Sequence, residues 1–139
     1  MQEEPRRPSS HHVPWEKRPR VHYAREQKEW FFREGCWITE LFNSPADPAL
    51  SVARARVQPG VTTRWHRLEA ITERYCILEG HGHVEVEGMA GAEVGPGDVV
   101  RIPPGAGQRI TNTGDDELVF LALCTPRFVA EAYEDIEPA

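Results

Sequence analysis

The sequence lacks closely spaced cysteines, which narrows both the kind of site and the compartment to be expected. Its three cysteines, Cys36, Cys76 and Cys124, lie far apart, and no C-x-x-C pair occurs. This disfavours a zinc ribbon and a thioredoxin-like redox site. Scattered cysteines, odd in number, are typical of a reducing compartment, so we expect the protein to be cytoplasmic.

Positive charge and long apolar runs are also scarce. Lys and Arg total 16 against 22 Asp and Glu, which gives a formal net charge of −6. A nucleic-acid-binding protein needs a basic face that displaces counterions from phosphates, so we expect no nucleic-acid partner. The sequence contains neither an apolar run of about 18 residues nor the apolar core of a signal peptide, so we expect no membrane partner.

The 139 residues have the length of one domain of roughly 100–200 residues, divided by composition into three parts. We predict an N-terminal arm over residues 1–35, a barrel over 36–125 and a tail over 126–139. The arm is rich in proline, which removes backbone donors, and it ends in the aromatic run 30–32. Exposed rings are costly in water, so we expect this run to pack on the barrel or on the second subunit of a homodimer.

From Gly35 onward the pattern predicts short strands and little helix. Apolar and polar residues alternate between turns rich in Gly, Pro, Asn and Asp, which is typical of an all-β sandwich or small barrel. The predicted strands are 36–42, 50–57, 64–68, 73–78, 83–86, 99–102, 108–111 and 118–124. Phe128, Ala132 and Ile136 recur at helical spacing, so a short C-terminal helix is expected over residues 127–136.

Two gapped motifs stand out within the predicted barrel. The first consists of Gly60, His66, Glu73 and Gly80, and the second of Gly97, Pro103, Gly105, Gln108 and Asn112. Both resemble the motifs of the cupin superfamily, whose members are small double-stranded β-barrels. The family's first motif has a second His two residues after the first, where this chain has Leu68. Its second motif has a His where this chain has Gln108.

The resemblance implies a jelly-roll barrel, also called a double-stranded β-helix, with a small-molecule site inside it. In cupins with intact motifs, three His and one Glu bind a divalent ion such as iron, manganese, nickel or zinc. His66 and Glu73 remain here, and Gln108 offers an amide oxygen, which is a weak neutral ligand. Because Leu68 offers no ligand atom, both a metal held by His66, Glu73 and Gln108 and a metal-free pocket stay open.

Strand alternation supplies two further candidates and removes two others. Arg64 shares the predicted face of His66, where it would meet an anionic substrate, and Tyr75 shares the predicted face of Glu73. We predict them as anchoring and acid–base groups. His81 and His83 form the literal H-x-H of the barrel region, but Gly82 lies between them in an apolar alternating set. We therefore expect both histidines on the solvent face.

Three functions remain open at this point. The first is a metal-dependent enzyme, of oxygenase, isomerase or lyase type, that acts on a small polar metabolite. The second is a non-catalytic module without metal that binds a sugar or a carboxylate. The third is a purely structural dimer, which would explain the aromatic run but not the inward polar residues. Leu68 favours the second function, whereas His66, Glu73 and Gln108 favour the first.

Overall fold

The computed structural model describes residues 18–139, which form two antiparallel β-sheets with an apolar core between them. The strands are β1 (Glu29–Phe32), β2 (Cys36–Ser44), β3 (Asp47–Val57), β4 (His66–Leu68), β5 (Thr72–Glu79), β6 (Gly82–Val86), β7 (Ala92–Val94), β8 (Val99–Ile102), β9 (Gln108–Asn112), β10 (Leu118–Thr125) and β11 (Tyr133–Asp135). One sheet has the order β1-β2-β3-β10-β5-β8 and the other β11-β4-β9-β6-β7. The jelly-roll barrel is thus confirmed.

All eight predicted strands are present, and three more were not predicted. Strands β1, β7 and β11 have three or four residues each, too few to show a clear alternation. Strand β1 holds the whole aromatic run 30–32 assigned to the arm and pairs antiparallel with β2, with Trp30 opposite Ile38. The proline-rich residues 1–17 of the predicted arm lie outside the described residues.

The predicted C-terminal helix is absent. Residues 127–136 instead contain a 3-10 turn, Ala130–Ala132, followed by β11. The strand pairs with β4, with Tyr133 opposite Leu68 and Asp135 opposite His66. Pairing satisfies backbone groups along the edge of β4, and this tertiary contact overrides the local helical spacing. The 3-10 turns are short, and no helix of residues 18–139 has the length and apolarity required to span a membrane.

The alternation predicted around β6 is confirmed. Gly82, Val84 and Val86 are buried, while His81 is exposed and His83 faces outward. The His83 Nδ1 atom lies 2.6 Å from Glu93 Oε1 on the neighbouring strand. These two histidines are therefore part of the outer surface of the second sheet.

The last glycine of the first motif is required by the turn between β5 and β6. Gly80 has a φ of +81°, and a Cβ atom added there would lie 2.5 Å from the backbone oxygen of Glu117. Both the left-handed conformation and this close approach exclude a side chain. The motif thus fixes the corner where the chain passes from the first sheet to the second.

Candidate functional site

A cavity of about 100 Å³ lies inside the barrel and is lined by strands of both sheets. Polar or ionisable side chains converge on it from separate elements: Glu34, Glu40, Ser51, His66, Glu73, Tyr75, Cys124 and Tyr133. The apolar part of the wall includes Trp30, Phe32, Ile38, Leu68, Phe120 and Phe128. A concave apolar site with a few convergent polar groups is the usual form of a small-molecule pocket.

His66 is held from both ring nitrogens. Its Nδ1 atom lies 2.7 Å from the backbone oxygen of Arg64, and because a carbonyl only accepts, Nδ1 carries a hydrogen. Its Nε2 atom lies 3.3 Å from Oε2 of Glu34, and both side chains are largely buried. A hydrogen on Nε2 would donate to this carboxylate.

Glu34 reaches His66 from the turn between β1 and β2. The turn contains Gly35 at a φ of +105° and docks on the segment before β4, since Arg64 N donates to Glu34 O over 2.8 Å. The Cys36 thiol donates to Glu34 Oε1 over 3.0 Å. Burial, chiefly, and the neighbouring carboxylate raise the pKa of this thiol far above its usual range, so it remains a hydrogen-bond donor.

Glu73 is the most perturbed acid of the cavity. Its side chain is only 8 % exposed, and desolvation, as the largest cause, raises its pKa to about 7. The charge of His66 and, more weakly, the neighbouring side-chain amide of Gln108 act in the opposite direction, although Gln108 Nε2 and Glu73 Oε1 are not in hydrogen-bond geometry. Within residues 18–139 the Oε1 atom of Glu73 has no hydrogen-bond partner, while Oε2 lies 3.8 Å from the Cys124 sulfur. A buried carboxylate oxygen without a partner is costly, and such groups are found where a ligand binds.

Tyr75 and Gln108 form a buried pair next to Glu73. The Tyr75 hydroxyl donates to Gln108 Oε1, whereas Gln108 Nε2 has no partner in the described part of the chain. Burial, as the largest cause, and then the Glu73 carboxylate raise the pKa of Tyr75 well above its usual value. The phenol therefore stays protonated, and its hydrogen is directed to Gln108.

The side chains present do not fit the metal centre that the resemblance implies. His66 and Glu73 both line the cavity, but the oxygen of Gln108 is engaged by Tyr75. Leu68 is buried in an apolar cluster with Ile71, Cys124 and Tyr133. Across residues 18–139, no three His, Cys, Asp or Glu side chains are arranged to hold a metal ion. Structural and catalytic sites normally need three or four protein ligands.

Arg64 is placed outside the cavity, contrary to the expectation from alternation. Strand β4 begins at His66, so residue 64 lies in irregular chain to which the period of two does not apply. The guanidinium is 46 % exposed, and its Nε atom lies 2.7 Å from Asp135 Oδ2. Arg64 thereby ties β11 to β4 and has no access to a ligand in the barrel.

Glu34 and Tyr133, which both contact His66, were not predicted from the sequence, and neither was Glu40 on the cavity wall. The Tyr133 ring stacks on His66, with centroids 5.2 Å apart, and meets the edge of Phe32 at 5.1 Å. A signal for Glu34 was present, since a polar residue followed by Gly35 at the end of an aromatic run is typical of a hairpin turn. Nothing in the local pattern indicated Tyr133, whose position depends on the pairing of β11.

Comparison with known proteins indicates the same family as the sequence motifs and the fold do. A family model described as a cupin domain matches residues 53–124. An uncharacterised protein of Methanocaldococcus jannaschii, MJ1618, is 31% identical over 112 residues, which cover 79% of this chain and 89% of that protein. The solved structure of a predicted oxalate decarboxylase from Thermotoga maritima superimposes with a TM-score of 0.67 at 27% identity and covers 77% of this chain and 99% of that one.

An enzyme is among the matching relatives. The (R)-mandelonitrile lyase of Granulicella tundricola is 43% identical over 70 residues. The match covers 49% of this chain and 51% of the lyase, so the chain spans about half the length of that relative.

Proposed function

The chain belongs to the cupin superfamily, and from that membership we propose that it is an enzyme of lyase or isomerase type. In this proposal it moves a proton at a carbon atom of a small polar metabolite bound in the barrel. Glu73 acts as the base and His66, held by Glu34, as the acid. No step is assigned to a metal ion, because the donor set around His66 does not fit one.

The observation that carries the proposal is the meeting of two different acid–base groups in one cavity. The Glu73 carboxylate has an unpartnered oxygen, and His66 is held between a carbonyl and the carboxylate of Glu34. A pKa of about 7 leaves Glu73 partly ionised near neutral pH and well suited to accept and return a proton. Perturbed acids in a cleft are frequent at active sites.

The proposed step needs only these groups. Glu73 removes a proton from carbon, and the electron pair moves toward an adjacent carbonyl oxygen or a leaving group on the neighbouring carbon. His66 gives its Nε2 hydrogen to that oxygen or leaving group, which replaces the Glu34 carboxylate as the acceptor of this hydrogen. The Nδ1 hydrogen keeps its bond to the Arg64 carbonyl, so the ring ends the step neutral. The Tyr75–Gln108 pair fixes the wall beside Glu73. The relative named as a lyase supports this reaction class.

Exchange with heavy water tests the proposal whatever the product is, because it reports removal of the proton from carbon. The full-length protein, treated with a chelator, is incubated in deuterium oxide with a panel of small ketones, hydroxyketones and amino ketones, and deuterium at carbon is read by NMR. We expect exchange in at least one compound and a loss of about 100-fold or more in Glu73→Gln and in His66→Gln. The double variant His81→Gln, His83→Gln is the matched control, because these histidines lie outside the cavity.

Two results would contradict the proposal. Exchange that is retained in Glu73→Gln would remove the assigned base. Activity that disappears with the chelator and returns with a divalent ion would show a metal-dependent reaction in place of the proposed one.

A non-catalytic binding role is the second candidate, and one observation favours it. Most of the cavity wall is apolar, and Leu68 extends this apolar surface at a position where cupins with intact motifs have a ligand. Such a wall suits retention of a small molecule. A compound of the panel that binds with micromolar affinity but shows no exchange in any assay would favour this role.

A further inference from the structure

The cavity carries acidic groups in excess of basic ones. Glu34, Glu40 and Glu73 all line it, and no Lys or Arg is among the described lining residues. His66 is the one basic group on the wall, and it is engaged by Glu34. Glu40 and Glu73 therefore face the cavity with no cation of the wall to pair with.

A buried group independently points to a ligand at this place. Glu73 is more than nine-tenths buried, and its Oε1 atom has no hydrogen-bond partner within residues 18–139. Buried carboxylates are normally paired or hydrogen-bonded, because desolvation without compensation costs several kcal/mol. A ligand that presents a hydrogen to Oε1 would supply the missing partner.

The remaining wall suits a particular kind of cation. Trp30, Phe32, Phe128 and Tyr133 present aromatic rings to the cavity, and ring faces attract ammonium groups. A volume of about 100 Å³ is several times what a single water molecule needs. The space therefore takes an organic molecule and exceeds the needs of a bare ion.

From these contacts we propose that the barrel binds a small organic cation, a protonated primary amine with a short apolar body. The ammonium group pairs with Glu40, Glu73 adds a second negative charge to the same wall, and the apolar body packs on the aromatic wall and on Leu68. A carboxylate or phosphate ligand would instead meet like charges in a site of low dielectric. The inference rests on the proposed function for the location of the site and adds the substrate class.

Three ligands with the same carbon skeleton but a positive, neutral or negative head group test which charge the cavity prefers. The full-length protein is titrated near neutral pH with 3-methylbutylamine, 3-methylbutanol and 3-methylbutanoate, and binding is measured by calorimetry. We expect the amine to bind about tenfold more tightly than the alcohol, and the carboxylate to give no saturable binding. A carboxylate or an alcohol that binds as tightly as the amine would overturn the proposal.

Charge-neutral variants locate the site. Glu40→Gln is expected to weaken amine binding by about fivefold and to leave the affinity for the alcohol within about twofold. Glu87→Gln is the matched control, because this carboxylate is exposed at the end of β6, and both affinities should be unchanged. Equal weakening by both variants, or none by Glu40→Gln, would place the amine on the general acidic surface and refute the cavity site.

The readout distinguishes this inference from the proposed reaction. Calorimetry reports binding without turnover. A protein that binds the amine but exchanges no proton would support the proposed ligand class and contradict the proposed enzymatic reaction. If the protein exchanges protons on neutral compounds and shows no preference for the amine, the proposed reaction is supported and the proposed ligand class is rejected.

Discussion

At the scale of single residues, the site is built from a motif that has kept two of its four ligand positions. Leu68 has become part of an apolar cluster, and Gln108 has become the acceptor of a tyrosine hydroxyl. Glu73 nevertheless remains an acid and is buried, although a buried carboxylate oxygen without a hydrogen-bond partner lowers stability. Because burial of Glu73 destabilises the fold, its presence in the cavity is best explained by a role in function.

Replacement of Glu73 measures that cost directly. The pKa of Glu73 is raised from 4.5 to about 7, so the folded state favours the neutral acid. The contribution of this one group to stability is therefore most favourable below about pH 4.5 and is lost as pH rises toward about 7. Glu73→Gln resembles the neutral acid and avoids this loss. Between about pH 5 and 8 we expect the variant to gain roughly 2 kcal/mol relative to the wild type in urea unfolding.

If the unfolding free energies of the wild type and of Glu73→Gln changed with pH in parallel, burial of the ionised Glu73 would not destabilise the fold. The exposed variant Glu87→Gln serves as the control, and its unfolding free energy should follow that of the wild type at every pH.

Residues on regular strands were predictable, and residues on irregular chain were not. His66, Glu73 and Tyr75 lie on β4 and β5, where the period of two assigns faces reliably, and all three reach the cavity. Arg64 was assigned by the same period two residues before its strand begins. Glu34 lies in a turn, where position depends on which strand the hairpin docks against.

At the scale of elements, the two ends of the described chain complete the cavity. The β1–β2 hairpin supplies Glu34, and β11 supplies Tyr133, which stacks on His66. Arg64 pairs with Asp135 and Arg67 with Glu134, so two ion pairs hold β11 along β4. Short segments of this kind carry weak periodic signals and take their structure from the edge they join. They therefore could not be predicted from the sequence.

Tyr133 tests how far β11 contributes to stability. We expect Tyr133→Ala to reduce the free energy of unfolding by about 3 kcal/mol, because the ring is buried between Phe32 and His66. Tyr133→Phe should cost less than about 0.5 kcal/mol, since the hydroxyl has no hydrogen-bond partner among residues 18–139. Equal losses in the two variants, measured by urea unfolding, would show that the hydroxyl and not the ring holds β11 in place.

At the scale of the whole molecule, the barrel was predictable because two gapped motifs and regular turns occur together. Glycines and prolines mark the turns, and apolar and polar residues alternate along the strands between them. A small β-barrel is the architecture that satisfies both patterns. The order of the strands in the two sheets required the structure, since pairing between distant strands leaves little trace in a local pattern. Within residues 18–139, the short strands β1 and β11 had the weakest signals and the largest differences from expectation.

The outer face of β1 supports an assembly larger than one chain. Phe31, on the opposite face of β1 from the cavity-lining Trp30, is 57 % exposed, and β1 is an edge strand of its sheet. Unpaired strand edges with exposed rings favour association. We propose a homodimer through this edge, which would shield the hairpin that carries Glu34.

Analytical ultracentrifugation tests the dimer by comparing substitutions of two exposed apolar residues that lie on the opposite edge strands of one sheet. We expect the wild type to sediment at twice the 15.8 kDa of the chain. Phe31→Ser should weaken association by at least about tenfold, because burial of the exposed part of the ring contributes about 2 kcal/mol. Val99→Ser, in the edge strand β8, removes a similarly exposed side chain and should leave the dimer intact. A dimer that dissociates with Val99→Ser and persists with Phe31→Ser would assign the interface to the opposite edge and leave Glu34 on a free hairpin.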